Sequence, residues 1–480
     1  MAYPIIDIHC HPNIRPYGWS LKNKDFFNPS DKSSPWFSST ATEEDLGRVM
    51  EGLTTFAPYR QCDFKNLAQG MVKISFLSFY PLEQGFTRPK NVNQQLTPEL
   101  VGKIIGLGPE RARQVMASNY NYWYHYLWEY EYFSQLDGNK NAPTKVRFLK
   151  PGDPMPDFFV DDTVWLVSTI EGGHTLCDGC NTLGEQEWAN VEVRVQHLKQ
   201  QPIPPFFITM AHHFLNGITT HCESLPQTLF DQVRGMDKKD DFGEGAGPVW
   251  ISKRGYKVLN AMLDTKNGRR IHVDVKHMAR EARLEFYNWR KQHYGDAPII
   301  YSHGAGRGTG YSDKSVKFYD RDINLDETDV IEIVSSNGII GLEMDQRIMG
   351  MNELTGLQRK WRAAKLALMS KRKKEMFWAE PVMHNILWIV EVIERYNRSK
   401  GSNLNAWEHI SLGTDFDGII NPLNQYWEAS RLPSMREALR TLLHDYFNGR
   451  NRTVTPQDTD GVLDKIFYSN ALRFLQQYYL

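Results

Sequence analysis

Short apolar runs that end in polar residues recur eight times along the chain, and this repetition constrains the fold more than any other feature. Each run is rich in β-branched or aromatic residues, as expected of a buried strand. Segments with helical periodicity lie between many of them, such as residues 188–200, 251–267 and 384–397. The eight predicted strands are residues 3–11, 71–81, 163–173, 205–213, 269–277, 298–304, 337–345 and 409–418.

Eight strands that alternate with helices predict an α/β fold of the (β/α)8 TIM-barrel type. The rival is an open doubly wound sheet, but no glycine-rich phosphate loop follows the first strand. Three long segments rich in Trp, Tyr and charge interrupt the alternation: residues 12–70, 86–162 and 346–408. On barrels such segments usually form lids and side walls above the active face. We therefore expect one domain over residues 1–480, with long loop or helical insertions over the C-terminal face.

Composition excludes several classes of function. The net charge of -1 gives no field that would attract nucleic acid or an anionic membrane. No apolar stretch reaches the roughly 18 residues of a membrane span. Neither a basic segment nor a long apolar run precedes the first strand. We therefore expect that the protein has no signal peptide and is cytoplasmic. The five cysteines are odd in number and scattered, which favours reduced thiols.

Two histidines close the first predicted strand. His9 and His11 are alternate residues of a strand, so both side chains point to the same face. Two imidazoles on one face, at the carboxyl end of a buried strand, can hold one metal ion. A single His-x-His motif is weak support for such a site. The interpretation therefore depends on whether further ligands close the other strands.

Metal-ligating residue types do close the other strands. A parallel barrel brings the carboxyl ends of all its strands to one face, where barrel enzymes perform their chemistry. Two ions that share a bridging carboxylate fit the number of candidates best. The strand-end candidates are His9, His11, Glu171, His212, His213, His277, His303, Asp415 and Asp417. We expect four further histidines to be ordinary buried side chains with hydrogen-bond partners: His174, His221, His272 and His409.

The ordered series of segments resembles the membrane (renal) dipeptidase family of the amidohydrolase superfamily. The resemblance begins at DIHCHP and runs to the last residues. STIEGG is similar to the family's bridging-glutamate segment, and ITMAHH to its histidine-bearing fourth strand. The later blocks PIIYSHG, SSNGIIGLEM, HISLGTDFDG and IFYSNALRFL follow in the family's order. Each block alone is weak evidence for the resemblance, whereas the ordered series of blocks is specific to the family.

The resemblance implies a binuclear zinc centre. His9, His11 and Glu171 would hold one ion. Glu171 would bridge to a second ion, held also by His277 and His303. Imidazole and carboxylate ligands suit Zn²⁺, and Mn²⁺ or Co²⁺ could take the same places. The implied cofactor is therefore two Zn²⁺ ions.

The resemblance also implies roles for two residues outside this ligand set. Asp415 would accept a proton and return it to the leaving nitrogen, and His212 would contact the substrate carbonyl. His213 follows His212 on the predicted strand and should point to the other side. The implied activity is metal-dependent hydrolysis of a small amide bond, with a dipeptide as the substrate. Family members often form homodimers.

Three features depart from the family pattern. The first strand carries His-x-His rather than the family's usual His-x-Asp, and Lys276 replaces a small residue. The arginine that binds the substrate carboxylate follows the family's sixth strand; here the candidates are Arg321 and Arg307. A carboxylated Lys276 could also bridge two ions. However, Lys276 adjoins His277 and should face the opposite way, so we prefer Glu171 as the bridge.

These departures leave two alternatives to a dipeptidase. One is another amidohydrolase reaction at the same metal pair, on a lactone, an ester or a phosphoester. The other is a non-catalytic barrel that binds a partner through its insertions. Such a barrel would be expected to have lost a ligand, and this chain retains the full set.

Overall fold

Eight parallel strands close into a barrel in the computed structural model of this chain. With one short additional strand, β3, the described strands of the sheet are β1 (Ile5–Cys10), β2 (Val72–Phe79), β3 (Val146–Phe148), β4 (Val164–Glu171), β5 (Phe207–Thr209), β6 (His272–Asp274), β7 (Ile299–Gly304), β8 (Ile339–Leu342) and β9 (Ile410–Leu412). The order around the barrel is β2-β1-β9-β8-β7-β6-β5-β4, and pairing of β2 with β4 closes it. The predicted TIM barrel is confirmed, and each of the eight predicted strands corresponds to a barrel strand.

The strand β3 was not predicted from the sequence. It pairs with β4 at residues 164–166, whereas β5 pairs with β4 at Ile170 and Glu171. Because β2 occupies the other edge of β4, β3 and β5 lie one after the other along the same edge. The strand β3 therefore extends the barrel wall at the amino end of β4.

The structure describes residues 3–21, 25–39, 59–87, 97–136, 142–158, 160, 162–178, 185–223, 248–310, 316–351, 356–450 and 452–480. Within these ranges the α-helices are α1 (Ile14–Trp19), α2 (Phe64–Gln69), α3 (Pro98–Ile105), α4 (Pro109–Met116), α5 (Tyr122–Ser134), α6 (Glu185–Gln200), α7 (Lys253–Leu263), α8 (Arg280–His293), α9 (Glu327–Ser335), α10 (Gly356–Ala367), α11 (Lys371–Lys400), α12 (Leu432–Asn448), α13 (Thr459–Asp464) and α14 (Asn470–Tyr478). None of these helices combines the length and the apolar character that a membrane crossing requires.

Side-chain caps fix where several helices begin. Asp63 caps α2 and Ser252 caps α7, each accepting a hydrogen bond from a backbone N–H three residues on. Asp326 and Asp329 satisfy each other's backbone N–H groups in a reciprocal capping box at the start of α9. The sequence thus encodes the boundaries of these helices locally.

The three long segments form helices where they are described. Residues 12–70 contain α1 and α2, residues 86–162 contain α3 to α5 together with β3, and residues 346–408 contain α10 and α11. The side chain of Glu129 on α5 accepts hydrogen bonds from the Asn13 side chain (2.8 Å) and the Tyr80 backbone N–H (3.2 Å). The segment 86–162 therefore reaches the carboxyl ends of β1 and β2.

The amino end of the barrel is covered by the last helix. Phe474 and Leu475 of α14 share an apolar cluster with Ile6, Ile74 and Ile339, which lie in the first half of their strands. Burial of such side chains is the main favourable contribution to folding. The opposite end of the barrel therefore carries the polar strand-end residues.

The first and last strands of the chain are neighbours in the barrel, and we call the boundary between them the β1–β9 seam. Asp7 of β1 pairs with Leu412 of β9. The Asp7 carboxylate accepts hydrogen bonds from the Thr414 backbone N–H (2.9 Å) and hydroxyl (2.5 Å). Just beyond β9, the Asp415 N–H donates to the carbonyl of His9 (2.9 Å). The seam therefore places His9 and Asp415 side by side.

Candidate metal centre

Seven side chains from six strands meet at the carboxyl ends of the barrel strands. Each is buried, with at most 6% of its surface exposed. Some close a strand and others stand in the first residues after it. The seven residues are His9, His11, Glu171, His212, His277, His303 and Asp415.

The Glu171 carboxylate lies at the centre of this group. Its Oε2 atom is 2.8 Å from Nε2 of His11. Its Oε1 atom is 3.4 Å from Nε2 of His277, and 3.6 Å from Nε2 of both His303 and His9. A single carboxylate thus contacts histidines from β1 and histidines from β6 and β7, as a ligand shared by two ions would.

Among the residues that the structure describes, potential ligand atoms fall into three groups whose members lie within 4.8 Å of one another. Glu171 belongs to two of them. The groups are His9–His11–Glu171–Asp415, Glu171–His277–His303 and His212–His213–His277.

The side chains fit a divalent metal ion chemically. Nε2 of His9 and Oδ1 of Asp415 are buried without a hydrogen-bond partner among the described residues, although they lie only 3.6 Å apart. Buried polar atoms are normally satisfied, because an unsatisfied one costs free energy. Neutral imidazole nitrogens and carboxylate oxygens are ligands that Zn²⁺ accepts. The donor set therefore suits a bound cation.

Hydrogen bonds at Nδ1 orient the imidazole rings of His11 and His303 so that Nε2 faces the centre of the cluster. His11 Nδ1 donates to the Ser78 carbonyl (3.0 Å), which can only accept. His303 Nδ1 lies 2.8 Å from Ser302 Oγ, which itself donates to the Asp274 carboxylate (2.6 Å). Both rings therefore carry their proton on Nδ1 and keep the Nε2 lone pair free for an ion.

Burial and neighbouring charges set the protonation states. Burial alone would raise the pKa of Glu171, but its electrostatic interactions with His212, His9 and His11 hold it well below its usual range. Burial, followed by the charge of His212, lowers the pKa of His277 to about 3. Near neutral pH, Glu171 is therefore a carboxylate and His277 a neutral imidazole, the forms that bind metal.

Asp415 differs electrostatically from Glu171. Burial and the negative charge of Glu171 raise its pKa above the usual value for an aspartate. Its backbone is left-handed, with φ of 59°, and that of His277 is also left-handed, with φ of 65°. Such conformations are uncommon outside glycine and cluster at functional sites. At Gly418, an added Cβ would collide with the Asp415 carboxylate, so this turn requires glycine.

His212 is held by a carboxylate that the sequence did not reveal. Its Nδ1 atom is 2.5 Å from Oε2 of Glu83, and its Nε2 atom is 3.7 Å from Oε1 of Glu171. Burial would lower the pKa of His212, but the two glutamates raise it above its usual value. Burial would raise the pKa of Glu83, but His212 and His174 lower it to about 2. The sequence indicated this partner only weakly, because Glu83 is an acidic residue two positions after the second predicted strand (71–81).

The expected orientation of His213 is wrong. Its ring centroid lies 3.9 Å from that of His212 and 5.2 Å from that of His277, so it faces the same cluster. The strand alternation fails because β5 ends at Thr209, before both histidines. The backbone beyond that point no longer alternates sides.

Asp417 lies outside the cluster, although it is two residues from Asp415. Its Oδ1 atom is 2.9 Å from Nε of Arg15, in a buried ion pair. Its Oδ2 atom accepts hydrogen bonds from the backbone N–H groups of Gln61 (2.9 Å) and Cys62 (3.0 Å). Asp417 therefore ties the segment around residue 61 to the loop after β9.

The two arginines suggested for substrate binding are both engaged by carboxylates. Arg307 contacts Asp320 (2.8 Å) and Asp322 (2.6 Å). Arg321 is half exposed and lies 3.8 Å from Glu223. Neither contact is with the strand-end cluster. A substrate carboxylate would have to compete with these acidic side chains.

Lys276 is fully buried, and its Nζ atom lies 2.9 Å from Oε2 of Glu343. This ion pair occupies the amine that an alternative bridging ligand would need. Three of the remaining histidines hydrogen-bond to carbonyls as expected: His174 to Pro81 (2.9 Å), His272 to Tyr478 (3.4 Å) and His409 to Gly338 (2.8 Å).

Several solved peptidase structures have the same fold. A dipeptidase of metallopeptidase family M19 aligns with a TM-score of 0.53 at 13% identity, over 100% of this chain and 99% of its own. A metallopeptidase from Rhodobacter sphaeroides, liganded with a phosphinate mimic of the dipeptide L-Ala-D-Ala, aligns with a TM-score of 0.54 at 13% identity, over 100% of both chains. The probable dipeptidase PvdM from Pseudomonas aeruginosa aligns with a TM-score of 0.52 at 13% identity, over 98% and 94%.

The likeness to these structures concerns the fold, and it confirms at that level the resemblance to dipeptidases noted in the sequence motifs. No family model matches the sequence, and a search of curated proteins found no match.

Proposed function

We propose that this chain is a hydrolase that uses two Zn²⁺ ions to cleave small amide bonds, with dipeptides as its substrates. The position of Glu171 carries the proposal, because its carboxylate contacts histidines from both sides of the cluster. The shared fold of the M19 dipeptidase and of PvdM supports it.

The ligands follow from the contacts of Glu171. His9, His11 and Glu171 would hold one ion, and Glu171, His277 and His303 the other. Mn²⁺ or Co²⁺ could take the same ligands. Divalent ions bound at such a site supply Lewis acidity and a nucleophile at neutral pH.

Asp415 is the proposed general base and acid. Its Oδ1 atom is 3.4 Å from Nε2 of His11 and its Oδ2 atom is 4.0 Å from Nε2 of His303, so its carboxylate borders both ligand groups. From there it can take a proton from the attacking water and return it to the leaving nitrogen. Its left-handed backbone, packed against Gly418, holds the carboxylate in this place.

His212 is the proposed hydrogen-bond donor to the substrate carbonyl. Its Nε2 edge faces Glu171, and its raised pKa favours the protonated ring. A donor aimed at an oxygen that gains negative charge stabilises the transition state more than the ground state. We therefore assign His212 to the electrophilic side of the reaction.

One observation favours a second candidate function. Arg307 and Arg321 are both engaged by carboxylates, so a dedicated partner for the carboxylate of a dipeptide is not evident among the two arginines suggested for that role. A lactone, ester or phosphoester could use the same metal pair without needing such a partner. We rank this second, because the structures that share the fold include dipeptidases.

The test is a substrate panel on protein of known metal content. Zinc-reconstituted protein should carry close to two ions per chain by elemental analysis. L-Ala-D-Ala is the first dipeptide to try, because the R. sphaeroides metallopeptidase binds a mimic of it. The panel adds other dipeptides, lactones and phosphoesters, and a Glu171→Gln variant controls for contaminating hydrolase. Turnover of lactones or phosphoesters alone would favour the second candidate, and absence of bound metal would refute the binuclear centre.

A further inference from the structure

A buried carboxylate outside the proposed ligand set holds His212, and the reaction described above gives it no role. Glu83 lies in the segment after β2, and 1% of its surface is exposed. Its Oε2 atom is 2.5 Å from His212 Nδ1 and accepts a hydrogen bond from the Tyr80 hydroxyl (3.2 Å). Its Oε1 atom accepts a hydrogen bond from the Phe214 backbone N–H (3.2 Å).

These contacts fix the orientation of the His212 ring. An ionised carboxylate only accepts hydrogen bonds, so Nδ1 of His212 carries a proton and faces Glu83. The opposite edge, with Nε2, then faces Glu171 at 3.7 Å. The Tyr80 ring packs against the imidazole with centroids 4.8 Å apart and planes at 65°. Rotation of the imidazole would break the contact with Glu83 and the packing against Tyr80.

We infer that Glu83 is a positioning residue, which orients His212 so that its Nε2 edge meets the carbonyl oxygen of the bound substrate. The inference rests on the proposed function, because it assigns Glu83 a part in the same reaction. Removal of the partner behind a metal-ligating histidine typically lowers metal affinity or activity by about 10–100-fold, and we expect a loss of that size for the partner of His212. Glu83 lies on a different strand connection from His212, so the geometry depends on the closed barrel.

The rival explanation is that Glu83 only stabilises the loop after β5, through its bond to the Phe214 N–H. A double-mutant cycle separates the two, because coupling appears only if both residues act together. We expect Glu83→Gln to retain both zinc ions and to lose about 10–100-fold in kcat with little change in KM. In a His212→Ala background the same substitution should have almost no further effect on kcat. Equal losses in both backgrounds would overturn the inference.

Asn216 provides a matched control in the same loop. It is buried, its side chain donates to the Met210 carbonyl (2.7 Å) and accepts from the Ile218 N–H (2.9 Å). Asn216→Ser should loosen the loop without removing the partner of the His212 ring. Its effect on kcat should therefore be the same in the wild-type and His212→Ala backgrounds.

A measurement that needs no turnover tests the contact itself. In zinc-loaded protein with ¹⁵N-labelled histidine, the His212 Nδ1 proton should give a low-field signal that is absent from His212→Ala. This signal should shift upfield or disappear in Glu83→Gln, and an unchanged signal would overturn the inference. If no substrate in the panel is hydrolysed, the proposed function fails, but this signal still decides whether Glu83 holds His212.

Discussion

Asparagine substitutions at Asp415 and Asp417 should give opposite defects, although the two residues are close in sequence and similarly buried. Asp415 stands among the histidines of the cluster, and its negative charge is unfavourable there, because burial and Glu171 raise its pKa. Neutralising Asp415 should therefore leave the metal-free fold as stable as the wild type, or slightly more stable. Asp417 instead compensates the buried guanidinium of Arg15.

The magnitudes follow from these partners. Loss of a general acid–base group typically lowers turnover by about 10²–10⁴-fold, which is our expectation for Asp415→Asn. Removing one member of a buried ion pair costs about 3–5 kcal/mol. The asparagine in Asp417→Asn can still accept from the Gln61 and Cys62 N–H groups, so we expect a cost of about 3 kcal/mol, at the lower end of that range.

Two assays distinguish the variants. Urea unfolding of the metal-free proteins reports the free energy of unfolding, and steady-state kinetics of the zinc-loaded proteins report kcat on the best substrate of the panel. We expect Asp415→Asn to be stable and nearly inactive, and Asp417→Asn to be unstable but active in its folded fraction. A stable, inactive Asp417→Asn beside an active Asp415→Asn would refute the assignment of the proton shuttle.

Three further predictions concern the other groups of the cluster. His303→Ala should lower the zinc content from about two ions per chain towards one, whereas His409→Ala, whose ring bonds the Gly338 carbonyl, should leave it unchanged in elemental analysis. His212→Ala should retain both ions and lose about 10²–10³-fold in kcat, more than in KM, and loss of zinc would make His212 a ligand instead. The folded-state pKa of Glu83, about 2 against an ordinary 4.5, contributes stability that is complete above pH 4.5 and is lost as the pH falls towards 2. Acid unfolding of Glu83→Gln should therefore be less steep in that interval.

The sequence predicted the barrel well because each of its strands is a short apolar run that ends in a polar residue. The polar residues at the ends of these runs located Glu171 at the end of β4 and His303 within β7. Such a run and its polar end can be recognised from neighbouring residues alone. The strand β3 was not predicted, because it has only three residues and pairs with part of β4 only. A run that short carries no periodicity.

The missed parts of the site depend on contacts between distant segments. Glu83 and His212 are 129 residues apart, and nothing in either segment specifies the other. The partners of Arg307 come from a neighbouring loop that the strand pattern does not position. The orientation of His213 was misread because the length of β5 is set by its pairing with β4 and β6, not by its own residues.

The β1–β9 seam has a consequence for how the protein is made. The ribosome synthesises β9 and Asp415 some 400 residues after His9 and His11. Until then the first strand lacks one of its two neighbours, and contacts of such long sequence separation form late in folding. A nascent chain that stops before β9 can neither close the cylinder nor bring His9 beside Asp415. We therefore expect the protein to bind its metal ions only after synthesis is complete. Nascent chains stalled before residue 410 should contain no bound metal.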